Sequence, residues 1–315
     1  MLPTAAPRAE ATLKPGERLV AIDVGGTTTR IGLVTSSPNQ SIASEPMTRM
    51  PSAALGADPV EGLARAIRAA VPAGERLGGA VIGLPVSFDA QGVTAMSSPN
   101  IEGFEGRAVA RELANQLGVP VAVDRDTVLL ATGEWVAGAA QGARTVLGVF
   151  IGTGIGGAML IDGAPYRGAS GGAGEVGHLP IRNEGRPCVC GNVDCLEAYA
   201  SGHVLDALAA RLGISVSDIF TAPAARKGVD DYREALAHGL AAAVNMLDPH
   251  VLLIGGGLFG RAHFPRKALA RGIKEHLRAP VPRDHVKIVE AQLGSEAALY
   301  AAPYLYARHA TFPHE

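Results

Sequence analysis

Two glycine-rich hairpins of the same layout constrain this chain more than any other feature of its sequence. Residues 19–34 read LVAIDVGGTTTRIGLV, which is an apolar run, a Gly/Thr turn and a second apolar run. Residues 146–163 read VLGVFIGTGIGGAMLIDG and repeat this layout. Apolar, β-rich runs on either side of a short glycine-rich turn are typical of β-hairpins. Because the hairpins recur after about 125 residues, the sequence predicts two halves built on related plans.

Strand-like and helix-like segments alternate in the rest of the chain. Asp58 is a candidate N-cap, with Pro59 at the first helical position and Glu61 three residues after the cap. Gly118 is a candidate helix end. Strands are predicted at 80–85 and 120–126, and another buried strand leads into a third glycine turn within 251–260. Helices are predicted over 58–71, 107–117, 128–140, 196–212, 232–247 and 295–306. This alternation predicts an α/β fold.

Charge and composition argue against several classes of partner. The 315 residues include 28 basic and 30 acidic side chains, which gives no reason to expect a nucleic-acid or membrane-surface partner. The first residues lack the apolar core of a signal peptide, and the uncharged stretch 145–161 is rich in glycine and short for a membrane span. Three cysteines without an export signal indicate a reducing compartment, so we expect a cytoplasmic protein.

The turns of both hairpins have the composition of phosphate-binding loops. Glycine lets backbone N–H groups close on phosphate oxygens, and threonine hydroxyls add donors. Either turn alone is also compatible with an ordinary tight hairpin, but two Gly-Thr turns at equivalent places favour phosphate binding. The candidate residues are Gly25, Gly26, Thr27 and Thr28 in the first turn and Gly152, Thr153 and Gly154 in the second.

Two other nucleotide motifs are excluded, and one metal ligand is indicated. The glycines of 152–157 are followed by a strand-like segment, whereas a dinucleotide fingerprint requires a helix there. No Gly-Lys-Ser/Thr sequence occurs, so a Walker motif is absent.

Asp23 lies directly before the first turn, where a carboxylate suits a magnesium ion that accompanies phosphates.

All three cysteines of the chain lie in one short segment. Cys188, Cys190 and Cys195 follow His178, and Gly191 lies between them. Three thiolates and one imidazole make a closed tetrahedral zinc site, and the soft ligand set favours a structural ion. The alternative is three buried thiols without a metal.

These motifs together resemble the ROK family of bacterial sugar kinases and sugar-responsive repressors. The matching segments are DVGGT at 23–27, GTGIGG at 152–157, GEVGH at 174–178 and CVCGNVDCLE at 188–197. The resemblance implies a two-lobed, actin/hexokinase-like (ribonuclease H-like) α/β fold with a central ATP cleft. It also implies ATP-dependent phosphorylation of a primary, 6-OH-type hydroxyl of a hexose or hexose-like substrate. Gly255 and Gly256 would lie near the adenosine.

The resemblance also implies roles for individual residues. Glu175, His178 and Glu197 match sugar-binding positions of the family, with His178 also a zinc ligand, and Asn100 matches a position that meets the sugar. The family pattern at this place ends near a Gly-Glu pair. When Gly133-Glu134 is aligned with that pair, Asp126 matches the family's general base. A carboxylate at a helix start stays ionised, whereas the plain alternative makes Asp126 an N-cap only.

Arg125 is the main departure from the family pattern, which has Asn at this place. Arginine is longer, charged and only donates hydrogen bonds. A substrate with a carbonyl, such as a seven-carbon cyclitol phosphorylated at its 7-OH, would explain the change. Alternatively, Arg125 points to solvent.

The resemblance leaves two other classes of function open. One is a non-catalytic, sugar-sensing regulator, although fewer than 20 residues precede the first predicted strand. The other is a sugar-binding protein without turnover. We further expect a homo-oligomer, in the simplest case a dimer. The expected domains are a tail at 1–18, a smaller lobe at 19–120 joined by a helix near 295–310, and a larger lobe at 121–294 that contains the zinc site.

Overall fold

The computed structural model describes residues 12–14, 16–35 and 47–313, with the side chain of Thr35 left out. Most of the tail expected at 1–18 lies outside the described residues. The contacts of the chain divide it into two compact units. Unit 1 comprises the described residues up to Ala137, residues 167–172 and the residues from Ser295 onward; unit 2 comprises residues 138–166 and 173–294.

The secondary structure is mixed α/β. The strands are β1 (Glu17–Val24), β2 (Thr28–Thr35), β3 (Thr48–Pro51), β4 (Arg76–Leu84), β5 (Ser87–Phe88), β6 (Ala95–Ser97), β7 (Val121–Arg125), β8 (Thr145–Ile151), β9 (Ile155–Ile161), β10 (Ala164–Pro165), β11 (Val251–Gly255) and β12 (Lys287–Glu290). The helices are α1 (Pro59–Ala70), α2 (Val109–Leu117), α3 (Asp126–Ala137), α4 (Glu197–Ala200), α5 (Gly202–Leu212), α6 (Arg226–Leu247), α7 (Arg266–His276) and α8 (Ala297–His309).

Each unit contains one five-stranded sheet, and the two sheets follow the same plan. In unit 1 the strand order is β3-β2-β1-β4-β7, and in unit 2 it is β10-β9-β8-β11-β12. The hairpin strands β1 and β8 each pair antiparallel with the next strand and parallel with the strand on the other side. The two related halves predicted from the repeated hairpins are therefore confirmed.

The sheet of unit 1 is covered on both faces, which explains the unbroken apolar run of β1. Val20 and Ile22 pack into the core formed with α1 and α2, whereas Leu19 and Ala21 pack into the core formed with α8. Successive side chains of a strand point to opposite faces, so a strand buried on both sides has no polar alternation. Asp58 caps α1 by accepting hydrogen bonds from the N–H groups of Val60 and Glu61, as predicted.

The helix predicted over 196–212 is interrupted at Ser201, whose backbone is extended. The start of α5 is fixed to the second glycine turn, because the N–H of Gly202 donates to Gly152 O at 3.0 Å. A second difference is α7, which is rich in charged residues and was not predicted. Within the described ranges, no helix combines the length and the apolar character that a membrane span requires.

Candidate functional site

The first glycine turn joins β1 to β2 in unit 1 and leaves backbone donors free. Gly25 N donates to Thr28 O at 3.0 Å, which closes the turn. Ser52 stabilises the turn with two hydrogen bonds: its backbone N–H donates to Thr27 O, and its hydroxyl donates to Gly25 O. The N–H groups of Gly26 and Thr27 are exposed and donate to no described residue. This arrangement suits an anion, and phosphate oxygens are acceptors of the right kind.

Asp23 is the second-last residue of β1, just before this turn, and it pairs with a cation that the sequence analysis did not single out. Arg30 lies opposite Asp23 in the β1–β2 register, and its Nη1 lies 3.0 Å from Asp23 Oδ2. Asp23 is only 6% exposed, and burial raises the pKa of its carboxyl against the opposing effect of Arg30. Oδ1 of Asp23 accepts no hydrogen bond from a described residue. One carboxylate oxygen thus remains for a hard cation or its water, which fits magnesium.

The carboxyl ends of three neighbouring strands bring the remaining candidates of unit 1 together. Asp23 on β1 is in register with Gly83 on β4, and Gly83 is in register with Asp124 on β7. Asp126 begins α3 directly after β7, and a Cβ at Gly83 would lie 2.9 Å from the Cα of Asp126. In parallel sheets, ligands bind where the strands end in this way. Asp126 is partly exposed there.

The side chains next to Asp126 are buried. Asp124 forms an ion pair with Arg167, and its Oδ1 accepts a hydrogen bond from the backbone N–H of Arg125. Arg125 is itself only 6% exposed, so its side chain does not point to solvent. Asn100 is exposed and lies against the first turn, since a Cβ at Gly26 would come within 3.3 Å of the Cβ of Asn100. Unit 1 therefore places Asn100 beside the phosphate-type turn.

The second glycine turn, between β8 and β9 in unit 2, is built like the first. Gly152 N donates to Gly154 O at 2.9 Å, and the N–H of His203 donates to Thr153 O at 3.2 Å. The N–H groups of Thr153 and Gly154 donate to no described residue. A Cβ at position 154 would lie 3.1 Å from Cδ of Glu197, so a side chain there would displace the Glu197 carboxylate.

Glu197 and the third glycine turn both adjoin the β8–β9 hairpin. Oε2 of Glu197 accepts a hydrogen bond from Ile155 N at 2.6 Å, which fixes the carboxylate beside the turn. Gly255 ends β11, and Gly256 has φ +101°, a conformation that favours glycine. A Cβ at Gly256 would lie 2.7 Å from the carbonyl carbon of Ile151, the last residue of β8. Unit 2 thus gathers Gly255, Gly256, the second turn and Glu197 in one region.

His178 and the three cysteines converge in unit 2. The segment 178–195, here called the cysteine loop, brings one donor atom of each within 4.8 Å of the others. Cys188 Sγ lies 3.6 Å from His178 Nδ1, and Cys190 Sγ lies 3.7 Å from Cys195 Sγ. In a zinc tetrahedron with bonds of about 2.3 Å to sulfur and 2.0 Å to nitrogen, these separations are about 3.5 and 3.8 Å.

The donor set of the cysteine loop therefore fits a zinc ion. Burial raises the pKa of the Cys195 thiol to about 12, and a bound metal cation would favour its thiolate form. Nδ1 of His178 faces Cys188, whereas its Nε2 lies 4.0 Å from Oε2 of Glu175. His178 and Glu175 are both partly exposed, so Nε2 and the carboxylate remain accessible to a ligand.

Asp194 organises the cysteine loop, and the sequence analysis missed it. Its carboxylate accepts hydrogen bonds from the backbone N–H groups of Glu184, Gly185 and Arg186 at 2.8 to 3.1 Å, and from the hydroxyl of Tyr199. The bond from Tyr199, followed by the backbone donors, lowers the pKa of Asp194 to about 2. An aspartate between two cysteines gave no signal by itself, since its partners are up to ten residues away.

Comparisons with known proteins identify the family of the chain. The model of the ROK family matches residues 19–309. A glucokinase of Streptomyces coelicolor is 29% identical, with 90% of this chain and 95% of that protein covered. An N-acetyl-D-glucosamine kinase of Photobacterium profundum is 34% identical, with 71% of this chain and 78% of that protein covered.

Solved structures show the same fold. The ROK hexokinase of Thermus thermophilus has a TM-score of 0.75 at 30% identity and covers 92% of this chain and 97% of its own. A ROK family glucokinase of Streptomyces griseus, solved with glucose and AMPPNP, has a TM-score of 0.75 at 27% identity, covering 91% and 98%. The fold is the actin/hexokinase-like α/β fold of these neighbours, as the resemblance implied. By its motifs, its fold and the match over most of its length, the chain belongs to the ROK family.

Proposed function

We propose that this protein is an ATP-dependent sugar kinase. The observation that carries the proposal is the pair of glycine turns, each at the end of a buried strand and each with two backbone N–H groups that donate to no described residue. Phosphoryl transfer depends mainly on holding the phosphates and neutralising their charge, and the turns supply fixed donors for both. The named activities of the relatives support the same reaction.

In this proposal Asp126 is the general base. It stands in the first turn of α3, where the helix N-terminus favours a carboxylate over a carboxylic acid. A carboxylate there accepts the proton of the attacking hydroxyl, a primary 6-OH-type group, while the oxygen bonds to the γ-phosphorus and the bond to ADP breaks. Asp23 would hold Mg²⁺, directly or through water, and the ion would neutralise phosphate charge. Asp124 serves a different purpose, because Arg167 already pairs with it.

We propose that Glu175, His178, Glu197 and Asn100 bind the sugar. Carboxylates and a neutral imidazole suit ring hydroxyls, which both donate and accept. Zinc, held by Nδ1 of His178 and the three cysteine sulfurs, would fix the imidazole so that Nε2 faces the substrate. The ion is structural in this proposal, since its four protein ligands leave no open position.

The identity of the sugar is the open part of the proposal, because Arg125 stands where the family pattern has Asn. Arg125 is buried at the end of β7, directly before the proposed base. A hexose is the first candidate, given the relatives. A seven-carbon cyclitol phosphorylated at its 7-OH is the second, because a substrate carbonyl would accept a hydrogen bond from a side chain that only donates.

The test is ADP release from Mg-ATP with a panel of acceptors, namely glucose, mannose, fructose, allose, N-acetylhexosamines and seven-carbon cyclitols. Asp126→Asn is the matched blank, since it keeps the shape and removes the base. We expect turnover with one class of acceptor and a loss of about 10²-fold or more in the variant. A folded, zinc-loaded protein that binds a sugar but releases no ADP with any acceptor would refute the kinase. The dimer and the cytoplasmic location stay predictions.

A further inference from the structure

Ser52 follows the last residue of β3 and is buried against the first glycine turn. Ser52 is only 3% exposed, and Thr29 of β2 beside it is fully buried. The Ser52 hydroxyl donates to Gly25 O at 2.6 Å, and Thr29 Oγ1 lies 3.0 Å from Ser52 Oγ. Because Ser52 gives its one hydroxyl proton to Gly25 O, the Thr29 hydroxyl is the donor between the two side chains. A chain of hydroxyl hydrogen bonds thus runs from Thr29 through Ser52 to the backbone of the turn.

The hydrogen bond from Ser52 sets the direction of a backbone donor in the turn. In a trans peptide unit the C=O and the following N–H lie in one plane and point in opposite directions. The peptide bond between Gly25 and Gly26 is trans. Since Ser52 holds Gly25 O, the N–H of Gly26 points away from Ser52, and it donates to no described residue. Gly26 is exposed, so this N–H is available to a ligand outside the turn.

The second glycine turn shows the same arrangement with different donors. Gly152 O accepts a hydrogen bond from Gly202 N at 3.0 Å, and Thr153 O accepts one from His203 N at 3.2 Å. The N–H groups that follow these carbonyls, those of Thr153 and Gly154, donate to no described residue. In both turns, therefore, a donor from another segment of the same unit holds the carbonyl of the first glycine and leaves the next N–H free. Only the first turn uses a side chain for this bond, which a substitution can remove.

We propose that Ser52 is a positioning residue for the phosphate groups of the nucleotide. Its hydroxyl fixes the Gly25–Gly26 peptide unit so that the N–H of Gly26 is aimed at a phosphate oxygen before the ligand binds, and Thr29 orients that hydroxyl. A donor that is already oriented loses little freedom on binding, which raises affinity. Ser52 acts through the backbone and contacts no ligand atom in this proposal. The inference rests on the proposed kinase function, because a nucleotide phosphate is the ligand that the turn would hold.

The test is isothermal titration calorimetry with Mg-AMPPNP as the probe, followed by ADP release with the best acceptor of the panel. In Ser52→Ala the Gly25–Gly26 peptide unit is free to rotate, so we expect affinity for Mg-AMPPNP to fall about tenfold. KM for ATP should rise by a similar factor, whereas KM for the acceptor should change much less. A merely structural role would lower Tm without separating the two KM values.

Tyr306→Phe is the matched control. The Tyr306 hydroxyl is buried and donates to Gly78 O at 2.8 Å, so this variant also removes a hydrogen bond from a hydroxyl to a glycine carbonyl in unit 1. Gly78 lies near the start of β4, whereas Gly83, near the other end of that strand, is the residue in register with Asp23. We expect Tm to fall and affinity for Mg-AMPPNP to stay at the wild-type value.

Thr29→Val, added to Ser52→Ala, separates positioning from stability. Ser52→Ala leaves the buried Thr29 hydroxyl without a partner among the described residues, which adds to the loss of Tm. Valine keeps nearly the same shape and removes that hydroxyl, so the double variant should regain part of the lost Tm. Its affinity for Mg-AMPPNP should remain as low as in Ser52→Ala, because the bond to Gly25 O is still missing.

Equal affinity of the wild type and Ser52→Ala for Mg-AMPPNP would overturn the proposal and leave the kinase intact. So would a double variant whose affinity recovers together with its Tm, or a Tyr306→Phe protein that loses as much affinity as Ser52→Ala, because the effect would then be one of general stability. A wild type that binds no Mg-AMPPNP would refute the kinase itself, and the role of Ser52 with it.

Discussion

Gly133→Ala should destabilise unit 1, although alanine is the better helix former. Gly133 lies in the middle of α3, where that helix meets the start of α8. A Cβ at this position would lie 2.6 Å from the carbonyl carbon and 2.7 Å from the Cα of Ala297, and closer still to its oxygen. Carbon atoms in contact are normally about 3.5 to 4.0 Å apart, so one helix must move by about 1 Å.

Two effects of opposite sign decide the size of this change. Replacing glycine by alanine inside a helix stabilises by about 1 kcal/mol. Overpacking costs about 1 to 3 kcal/mol, and the upper end applies because the clash is with backbone rather than with a side chain that can rotate. The net loss is therefore about 2 kcal/mol, which corresponds to a fall in Tm of about 4 to 8 °C.

The assay is thermal unfolding by circular dichroism together with ADP release. Activity should fall as well, because α3 begins with Asp126 and a shifted helix misplaces that carboxylate. Gly272→Ala in α7 is the control, since its Cβ would meet side chains rather than backbone, namely the methyl group of Ala237 at 3.2 Å and Nη1 of Arg233 at 3.8 Å; we expect a change below about 1 kcal/mol. A Gly133→Ala protein with a Tm equal to or above that of the wild type would refute the reasoning.

Three further predictions concern the site. Metal analysis of the wild type should find one zinc per chain, and Cys190→Ser should abolish it and raise KM for the sugar more than KM for ATP, because the cysteine loop holds His178; a metal content that Cys190→Ser leaves unchanged would contradict the zinc site. Asp194→Asn should lower Tm. Since the pKa of Asp194 is lowered from 3.8 to about 2, its stabilisation is complete above about pH 4 and is lost towards pH 2, so the difference in Tm from the wild type should shrink over that interval. Arg125→Asn should shift the acceptor preference towards ordinary hexoses in the panel assay; an unchanged preference would show that Arg125 does not select the substrate.

Local signals explain why much of the fold was predictable. A glycine turn between two apolar runs makes a hairpin through contacts a few residues apart, and both hairpins form as predicted. The cap at Asp58 and the left-handed helix end at Gly118 likewise depend only on neighbouring residues. The convergence of His178 with the cysteines was predictable because zinc sites are recognised by ligand type and spacing.

The features that only the tertiary structure decided depend on partners distant in sequence or on packing. Arg167 pairs with Asp124 across more than 40 residues, and no local pattern links them. Ser201 breaks a helix that the sequence favours, because the glycine turn at 152 takes the N–H of Gly202. The sequence also left open whether Arg125 faces solvent, and the structure shows that its side chain is buried.

The sequence determined which chemical groups are present and which turns they flank, since these follow from short-range backbone preferences. Long-range packing alone decided which of those groups are buried, paired or left free, because burial and pairing depend on neighbours that the chain supplies only once folded.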